Sequence, residues 1–198
     1  MALIIQKYGG TSVADAVRVK EVAKRVLKYK NEGHDVIVVV SAPAGTTDSL
    51  IRRAYELSET PNKRELDMLL TSGEQISIAS LAIAIEALGK KAVSLNAFQV
   101  DFKTTDEHTK ATILNINTDI IREKLSEGNV VVFAGFQGIT ENNEITTLGR
   151  GGSDTTAVAL GAALKADEVE IYTDVDGVYT ADPRVVKNPK KLNTISYQ

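Results

Sequence analysis

Short apolar segments alternate with amphipathic segments along most of the chain. The apolar segments predict strands at residues 3–6, 36–40, 92–95, 130–134 and 168–173. Residues 36–40 form a continuous β-branched run, which is typical of a central strand buried on both faces. A weaker strand signal lies in 109–116, and residues 144–147 are expected to pair in a hairpin.

Helical periodicity fills most of the intervals between these strands. In the first helix the apolar stripe is Val13, Ala16, Val17, Val22, Ala23, Val26 and Leu27, and Ser12 with Asp15 forms a candidate capping box. Further helices are predicted at residues 49–57, 63–70, 76–88, 118–126 and 154–166. This alternation predicts an α/β fold, a three-layer α/β/α sandwich with a mainly parallel central sheet.

Composition narrows the possible functions. The chain has 198 residues, a net charge of −3 and no cysteine, so disulfides, thiolate metal sites and cysteine nucleophiles are excluded. It has no basic block, no signal-peptide core and no apolar run that we expect to span a bilayer. We therefore expect a cytoplasmic protein without nucleic-acid or membrane partners.

Two glycine-rich segments each follow a predicted strand and precede a predicted helix. The first contains Lys7, Gly9 and Gly10, and the second is GRGGSD at residues 149–154. Glycines let backbone N–H groups approach an anion, and a helix N-terminus attracts negative charge. The alternatives are a tight turn for the first segment and, for the second, an N-cap at Asp154 beside a surface arginine.

Other polar groups allow both a functional and a structural interpretation. Glu74 begins an otherwise apolar helix, where it either binds a ligand ammonium or, as we favour from the residues alone, only suits the helix dipole. Ser41, Thr46 and Thr47 offer hydroxyls to a ligand or to the next helix as caps. Residues 173–184 are dense in turn and polar residues, and an Asp-Gly turn explains only part of that run.

The two histidines, His34 and His108, are expected at the surface, because neither has metal-ligand spacing. No metal site built from protein side chains is predicted. Two candidate anion loops, a strand-end lysine and an aspartate at a helix start suit phosphoryl transfer, which depends on positioning and charge neutralisation. The residues alone therefore predict a phosphate-handling α/β enzyme.

Five segments together resemble the aspartate kinase branch of the amino acid kinase family. In order they are KYGGTSVAD, LLTSGEQISIA, VVVFAGFQGIT, ITTLGRGGSDTTAVALGAAL and IYTDVDGVYTADPR, within positions 7–184. The resemblance implies the amino acid kinase fold and ATP-dependent phosphorylation of the L-aspartate side chain to 4-phospho-L-aspartate, at the entry to lysine, threonine and methionine synthesis. It also implies Mg²⁺ bound with ATP, and a homo-oligomer weakened by the missing C-terminal region.

The same resemblance implies residue roles. Lys7 would stabilise the transferring phosphoryl group, Asp154 would orient Lys7, Glu74 would bind the aspartate ammonium, and Arg150 would bind its α-carboxylate. The remaining substrate residues would be Ser41, Thr47, Gly151, Gly152 and Ser153. The nucleotide would be held by Lys7, Tyr8, Gly9, Gly10, Thr173, Asp174, Tyr179, Asp182 and Arg184.

Departures from the family pattern lie on the substrate side and at the C-terminus. Residues 41–45 read SAPAG in place of S-A-M-G, 96–102 read NAFQVDF in place of T-G-x-Q-A-G-I, and 108–113 read HTKATI in place of H-x-x-A-R/K-I. We expect residues 1–198 to be a kinase catalytic domain truncated at its C-terminal end, without ACT regulatory domains. The alternatives are an acetylglutamate-type kinase or an inactive nucleotide- or amino-acid-binding fragment.

Overall fold

The computed structural model of the chain describes residues 1–173, 177–182 and 185–196. These residues form strands and helices that alternate along much of the chain. In chain order they are β1 (Leu3–Tyr8), α1 (Ala16–Asn31), β2 (Asp35–Val40), α2 (Thr46–Leu57), α3 (Lys63–Leu70), α4 (Ser72–Glu86), β3 (Ala92–Leu95), β4 (Phe102–Thr104), β5 (Ile113–Ile116), α5 (Asp119–Ser126), β6 (Val130–Ala134), β7 (Gln137–Ile139), β8 (Ile145–Thr147), α6 (Gly152–Leu164), β9 (Glu168–Tyr172), β10 (Val178–Tyr179) and β11 (Lys191–Leu192).

The central sheet contains the five strands that the apolar segments predict. Its order is β3-β6-β2-β1-β9, and every neighbouring pair is parallel. Val36, Val38 and Val40 pack into a core with α1 and α4, whereas Ile37 and Val39 face a second core with α5 and α6. Because both faces of β2 are buried, an unbroken β-branched run is the expected sequence there. The predicted three-layer α/β/α architecture is confirmed.

A second, mixed sheet of order β5-β4-β7-β8 lies beside the first, and the sequence analysis predicted only part of it. The strand signal in 109–116 and the hairpin at 144–147 are confirmed as β5 and as the β7–β8 pair. Phe102 on β4 is fully buried and packs against Phe133 of the central sheet, with ring centroids 6.0 Å apart. This sheet carries β8, which leads directly into the glycine-rich segment 149–154.

The first helix begins later than predicted. A 3-10 helix spans Gly10–Val13, and Asp15 is the N-cap of α1, its side chain accepting a hydrogen bond from the backbone N–H of Arg18 at 2.9 Å. The capping box that starts at Ser12 is therefore wrong. With the helix starting at Ala16, Val19 joins the buried stripe and Val17 is exposed.

The stretch Lys63–Glu86, which contains α3 and α4, is apolar and long enough, at 24 residues, to cross a membrane by length and composition alone. The expectation that no apolar run spans a bilayer concerned unbroken apolar segments, and charged residues such as Arg64, Asp67 and Glu74 interrupt this stretch. α4 nevertheless buries Ile78, Leu81 and Ile85 against α1 and the central sheet. Core helices meet the same criterion, and the burial of α4 identifies it as one.

Close packing of α6 on β9 generates the first prediction. A Cβ at position 161 of α6 would lie 2.5 Å from Val169 Cγ2. Alanine favours helix over glycine by about 1 kcal/mol, but overpacking costs about 1–3 kcal/mol. We expect Gly161→Ala to lower the free energy of unfolding in urea denaturation followed by circular dichroism.

The Val169→Ala background provides the control for this prediction. There the clash disappears, and Gly161→Ala should be neutral or stabilising. A Gly161→Ala chain as stable as the parent would contradict the close contact between α6 and β9.

Candidate active site

A cavity of about 300 Å³ opens at the carboxyl ends of β1, β2 and β6. Parallel α/β sheets place ligand sites at this edge, because the loops that follow the strands meet there. The structure brings together the predicted Lys7 and Asp154 and all the predicted substrate residues. The lining comprises Lys7, Ser41, Ala42, Thr47, Glu74, Phe136, Gly149, Arg150, Gly151, Gly152, Ser153 and Asp154.

An ion pair between Lys7 and Asp154 joins β1 to the first turn of α6. Lys7 Nζ lies 2.8 Å from Asp154 Oδ1, and the lysine side chain is only 11% exposed. Gly151, with φ of 78°, is the N-cap of α6, so the alternative that Asp154 is itself the cap is wrong. The carboxylate instead fixes an ammonium group beside a helix N-terminus, and both features attract an anion.

Glu74 is a buried carboxylate in the first turn of α4, with an exposed fraction of 2%. Its Oε1 accepts a hydrogen bond from the Ala42 N–H at 3.0 Å, and its Oε2 has no hydrogen-bond partner in the described part of the chain. Burial raises the pKa of Glu74 to about 7, although the Ala42 hydrogen bond opposes the shift. A role limited to the helix dipole does not explain a carboxylate so far removed from water.

Short contacts around Ala42 set the distance between the loop after β1 and the start of α4. A Cβ at Gly10 would lie 2.5 Å from the Ala42 carbonyl oxygen, and a Cβ at Gly73 would lie 2.7 Å from the Ala42 Cβ. The Ala44 N–H also donates to the Gly10 carbonyl at 3.1 Å. The loop after β1 and the start of α4 therefore both touch the loop after β2.

The segment that carries Arg150 turns sharply between β8 and α6. Gly149 and Gly151 both have φ of 78°, a conformation that favours glycine, and they leave Arg150 exposed at the mouth of the cavity. Leu148 donates its N–H to the Phe136 carbonyl at 2.8 Å, which anchors the turn to the loop after β6.

Phe136 lines the cavity and was not among the predicted site residues. It has a positive φ of 73°, and its N–H donates to the Thr156 hydroxyl of α6 at 3.1 Å. The available signal was an aromatic residue between two glycines, Gly135 and Gly138, directly after a buried strand.

The hydroxyl groups after β2 do not cap the following helix. The N-cap of α2 is Gly45, and no side chain makes a capping hydrogen bond there. The capping alternative is therefore wrong for Thr46 and Thr47. Ser41 and Thr47 instead line the cavity, together with the mostly buried Ser153.

The predicted nucleotide residues are more dispersed than the substrate residues. The buried Tyr8 ring stacks on Tyr172 with centroids 4.6 Å apart, and Tyr8 lines a second cavity of about 460 Å³ with Thr173. Tyr179 lies on β10, which pairs with β11, and Asp182 follows that strand.

Two predicted nucleotide residues, Asp174 and Arg184, lie outside the described residues. Gly9 and Gly10 follow β1 directly, and a Cβ at Gly9 would lie 3.7 Å from Lys7 Nζ. Gly9 therefore lies beside the Lys7 ammonium group.

His108 is not the surface histidine that the sequence predicted. Its Nδ1 lies 2.9 Å from Oδ2 of Asp67, a fully buried carboxylate on α3. His34 is half-buried and accepts the Ala2 N–H at 3.2 Å. Across residues 1–173, 177–182 and 185–196, no group of three or more His, Asp or Glu side chains is arranged to hold a metal ion.

The family model described as the amino acid kinase family matches residues 2–198. The chain belongs to the amino acid kinase family. It is 56% identical over 197 residues to the aspartokinase of Geobacillus stearothermophilus, covering 100% of this chain and 48% of that relative. The chain thus spans about half the length of the curated relatives it matches.

Solved structures of this family share the fold. An aspartate kinase from Synechocystis superposes with a TM-score of 0.83 at 48% identity, covering 96% of this chain and 31% of that one. E. coli aspartokinase III in complex with aspartate and ADP superposes with a TM-score of 0.82 at 27% identity, covering 96% and 53%. The predicted amino acid kinase fold is confirmed.

The buried Glu74 generates a pH prediction. Its pKa rises from 4.5 to about 7 on folding, so between those values the folded chain binds a proton that the unfolded chain does not. The stability that this proton contributes is present at low pH and is lost as the pH rises through about 7, and in total it amounts to roughly 3 kcal/mol.

Glu74→Gln removes this titration and tests the prediction. Between about pH 5 and about pH 8, the difference in free energy of unfolding between variant and parent should shift in favour of the variant by roughly 2–3 kcal/mol. Glu86→Gln, at an exposed position at the end of the same helix, is the control and should show no such shift. A pH-independent difference for Glu74→Gln would refute the raised pKa.

Proposed function

We propose that this chain carries the catalytic site of an aspartate kinase, which transfers the γ-phosphoryl group of ATP to the side-chain carboxylate of L-aspartate. The product, 4-phospho-L-aspartate, enters the synthesis of lysine, threonine and methionine. The observation that carries the proposal is the cavity itself. It combines a buried carboxylate whose second oxygen has no partner in the described chain, an exposed arginine, and a lysine–aspartate pair at a helix N-terminus.

The amino-acid end of the cavity fits a free amino acid. Glu74 Oε2 would accept a hydrogen bond from the ligand ammonium, and this charge would satisfy the buried oxygen and hold Glu74 ionised. The Arg150 guanidinium would pair with the α-carboxylate through two parallel hydrogen bonds. Ser41, Thr47, Gly151, Gly152 and Ser153 would complete the pocket with hydroxyl and backbone groups.

The phosphoryl end suits a carboxylate nucleophile. An aspartate side chain is already ionised near neutral pH, so it needs no general base. The main obstacle is repulsion between that carboxylate and the polyphosphate. Lys7 would lower this repulsion and stabilise charge on the transferring group, while Asp154, 2.8 Å away, holds Lys7 in place.

The nucleotide would lie against the loop after β1 and the segment after β9. Gly9 and Gly10 would present backbone N–H groups to the phosphates, and Tyr8, Thr173, Asp174, Tyr179, Asp182 and Arg184 complete the proposed set. Mg²⁺ would come with ATP and neutralise phosphate charge. Asp154 is the carboxylate that would face it, and a single, half-exposed carboxylate fits an ion held mainly by phosphates and water.

The relatives support this assignment. Proteins named aspartokinase share more than half of their aligned residues with this chain, and the similar E. coli enzyme was solved with aspartate and ADP. An acetylglutamate-type kinase is less consistent with the site, because an acetylated nitrogen carries no charge to pair with Glu74. Association of the chain into a homo-oligomer remains part of the proposal.

Hydroxylamine trapping of the acyl phosphate tests the reaction. With ATP, Mg²⁺ and L-aspartate we expect aspartyl hydroxamate, reduced by at least about 10²-fold in Lys7→Ala because a charge aimed at the reacting group is lost. Lys103→Ala is the matched control. Its side chain is 12% exposed and its Nζ lies 2.9 Å from Asp101, yet the pair lies outside the cavity.

Other outcomes of this assay separate the alternatives. Nucleotide binding without any hydroxamate would favour the inactive fragment. Product formed from acetylglutamate but not from aspartate would replace the substrate assignment. Equal losses in Lys7→Ala and Lys103→Ala would remove the proposed role of Lys7.

Arg150→Ala tests the amino-acid end separately. Loss of a charge-assisted bidentate pair costs about 2–3 kcal/mol, so the KM for aspartate should rise roughly 30- to 150-fold while the KM for ATP changes little. Arg53→Ala, on the exposed face of α2, is the control and should leave both constants unchanged. A rise confined to the KM for ATP would contradict the role of Arg150.

A further inference from the structure

Asp67 is a charged residue in the interior, one helix before Glu74. It lies on α3 and is fully buried, while the neighbouring Met68 is exposed. If α3 were held only by burial of apolar side chains, Met68 would be buried and Asp67 would be exposed. Replacing a buried charge by apolar residues of similar size is often neutral or stabilising, so stability alone does not account for Asp67.

Three donors satisfy the Asp67 carboxylate. The Thr147 hydroxyl donates to Oδ1 at 2.7 Å, the Thr109 N–H donates to Oδ2 at 3.0 Å, and His108 Nδ1 lies 2.9 Å from Oδ2. None of these groups lines the cavity. We name Asp67, His108, Thr109 and Thr147 the α3 latch.

The α3 latch connects the two sides of the amino-acid site. Thr147 ends β8, three residues before Arg150, and its carbonyl accepts the Ala111 N–H at 2.9 Å. A Cβ at Gly149 would lie 3.2 Å from the Thr109 carbonyl, so the arginine turn rests directly on the 108–110 segment. On the other side, α3 passes through Thr71 into α4, where Glu74 lies in the first turn.

We infer that Asp67 is a positioning residue for the amino-acid substrate. Through Thr147 it fixes the Arg150 turn, and through the α3–α4 junction it fixes Glu74, so it sets the spacing between the groups for carboxylate and ammonium. This inference rests on the proposed function for its kinetic consequence. It predicts an effect on the binding of the amino acid. It predicts no effect on the binding of the nucleotide, because the loop after β1 and the segment after β9 contain no residue of the latch.

Thr147→Val is the most conservative way to open the latch, because it removes one hydroxyl at nearly constant volume. A small displacement of a binding group costs up to about 10²-fold, and we expect the KM for aspartate to rise roughly tenfold, with the KM for ATP within about twofold of the parent. Thr147→Ser keeps the hydroxyl and should restore a KM near that of the parent.

Thr146→Val is the matched control. Thr146 is the preceding residue on β8, is fully buried, and shares a hydrogen bond of 2.6 Å with Thr104 rather than with Asp67. Thr146→Val removes a buried threonine hydroxyl, as Thr147→Val does, but it leaves the hydrogen bonds of Asp67 intact. Equal effects of Thr146→Val and Thr147→Val would overturn the positioning role and leave only a structural one.

Hydrogen exchange of the ligand-free chain gives a readout independent of activity. Peptides that cover residues 147–153 should exchange faster in Thr147→Val than in the parent. In Thr146→Val their exchange rate should equal that of the parent. If the parent forms no hydroxamate, the proposed function fails, and exchange alone then decides whether the latch holds the arginine turn. Parent-like exchange in Thr147→Val, or a parent-like KM for aspartate in an active chain, would overturn the inference.

Discussion

The site depends on how closely two segments, the loop after β1 and the start of α4, approach Ala42. Its N–H binds Glu74, its carbonyl oxygen lies where a side chain on Gly10 would go, and its methyl group lies where a side chain on Gly73 would go. The parallel register of β1 with β2, which pairs Tyr8 with Val40, brings the two strand-end loops side by side. The separation between the glycine-rich loop after β1 and the start of α4 is thus set by short contacts with Ala42.

Two buried carboxylates on consecutive helices, Asp67 and Glu74, differ in how many hydrogen-bond donors they receive. Asp67 receives three donors and is satisfied within the fold. Glu74 receives one, keeps a second oxygen without a partner in the described chain, and its pKa is raised to about 7. A buried charge with all its hydrogen bonds orders the groups that donate to it. A buried charge that lacks a partner is stabilised when a group of opposite charge binds beside it. The first is suited to holding geometry and the second to binding a cation.

The central sheet was predictable because its signals are local. A β-branched run such as residues 36–40 reports burial on both faces without any knowledge of its neighbours. The second sheet was predicted only in part, because β4 and β7 have three residues each, too few to show a period. β4 also pairs with β7, which lies well beyond it in the sequence, and Phe102 packs against Phe133. No local pattern reveals either contact.

The residues of the candidate site likewise divide into those that local sequence predicts and those that depend on contacts distant in sequence. Glycines after strands mark the loops, so Lys7 and residues 150–154 could be placed at one edge of the sheet from the sequence. Glu74 follows a helix, and its substrate role was favoured only by the resemblance to the family. His108, which lies in a turn, was misjudged because its partner Asp67 lies 41 residues away on α3. Spacing within one segment tells where a loop must be, since backbone conformation is local. Whether a polar side chain turns inward depends on donors that only the folded chain brings to it, and for that reason the latch is visible in the structure alone.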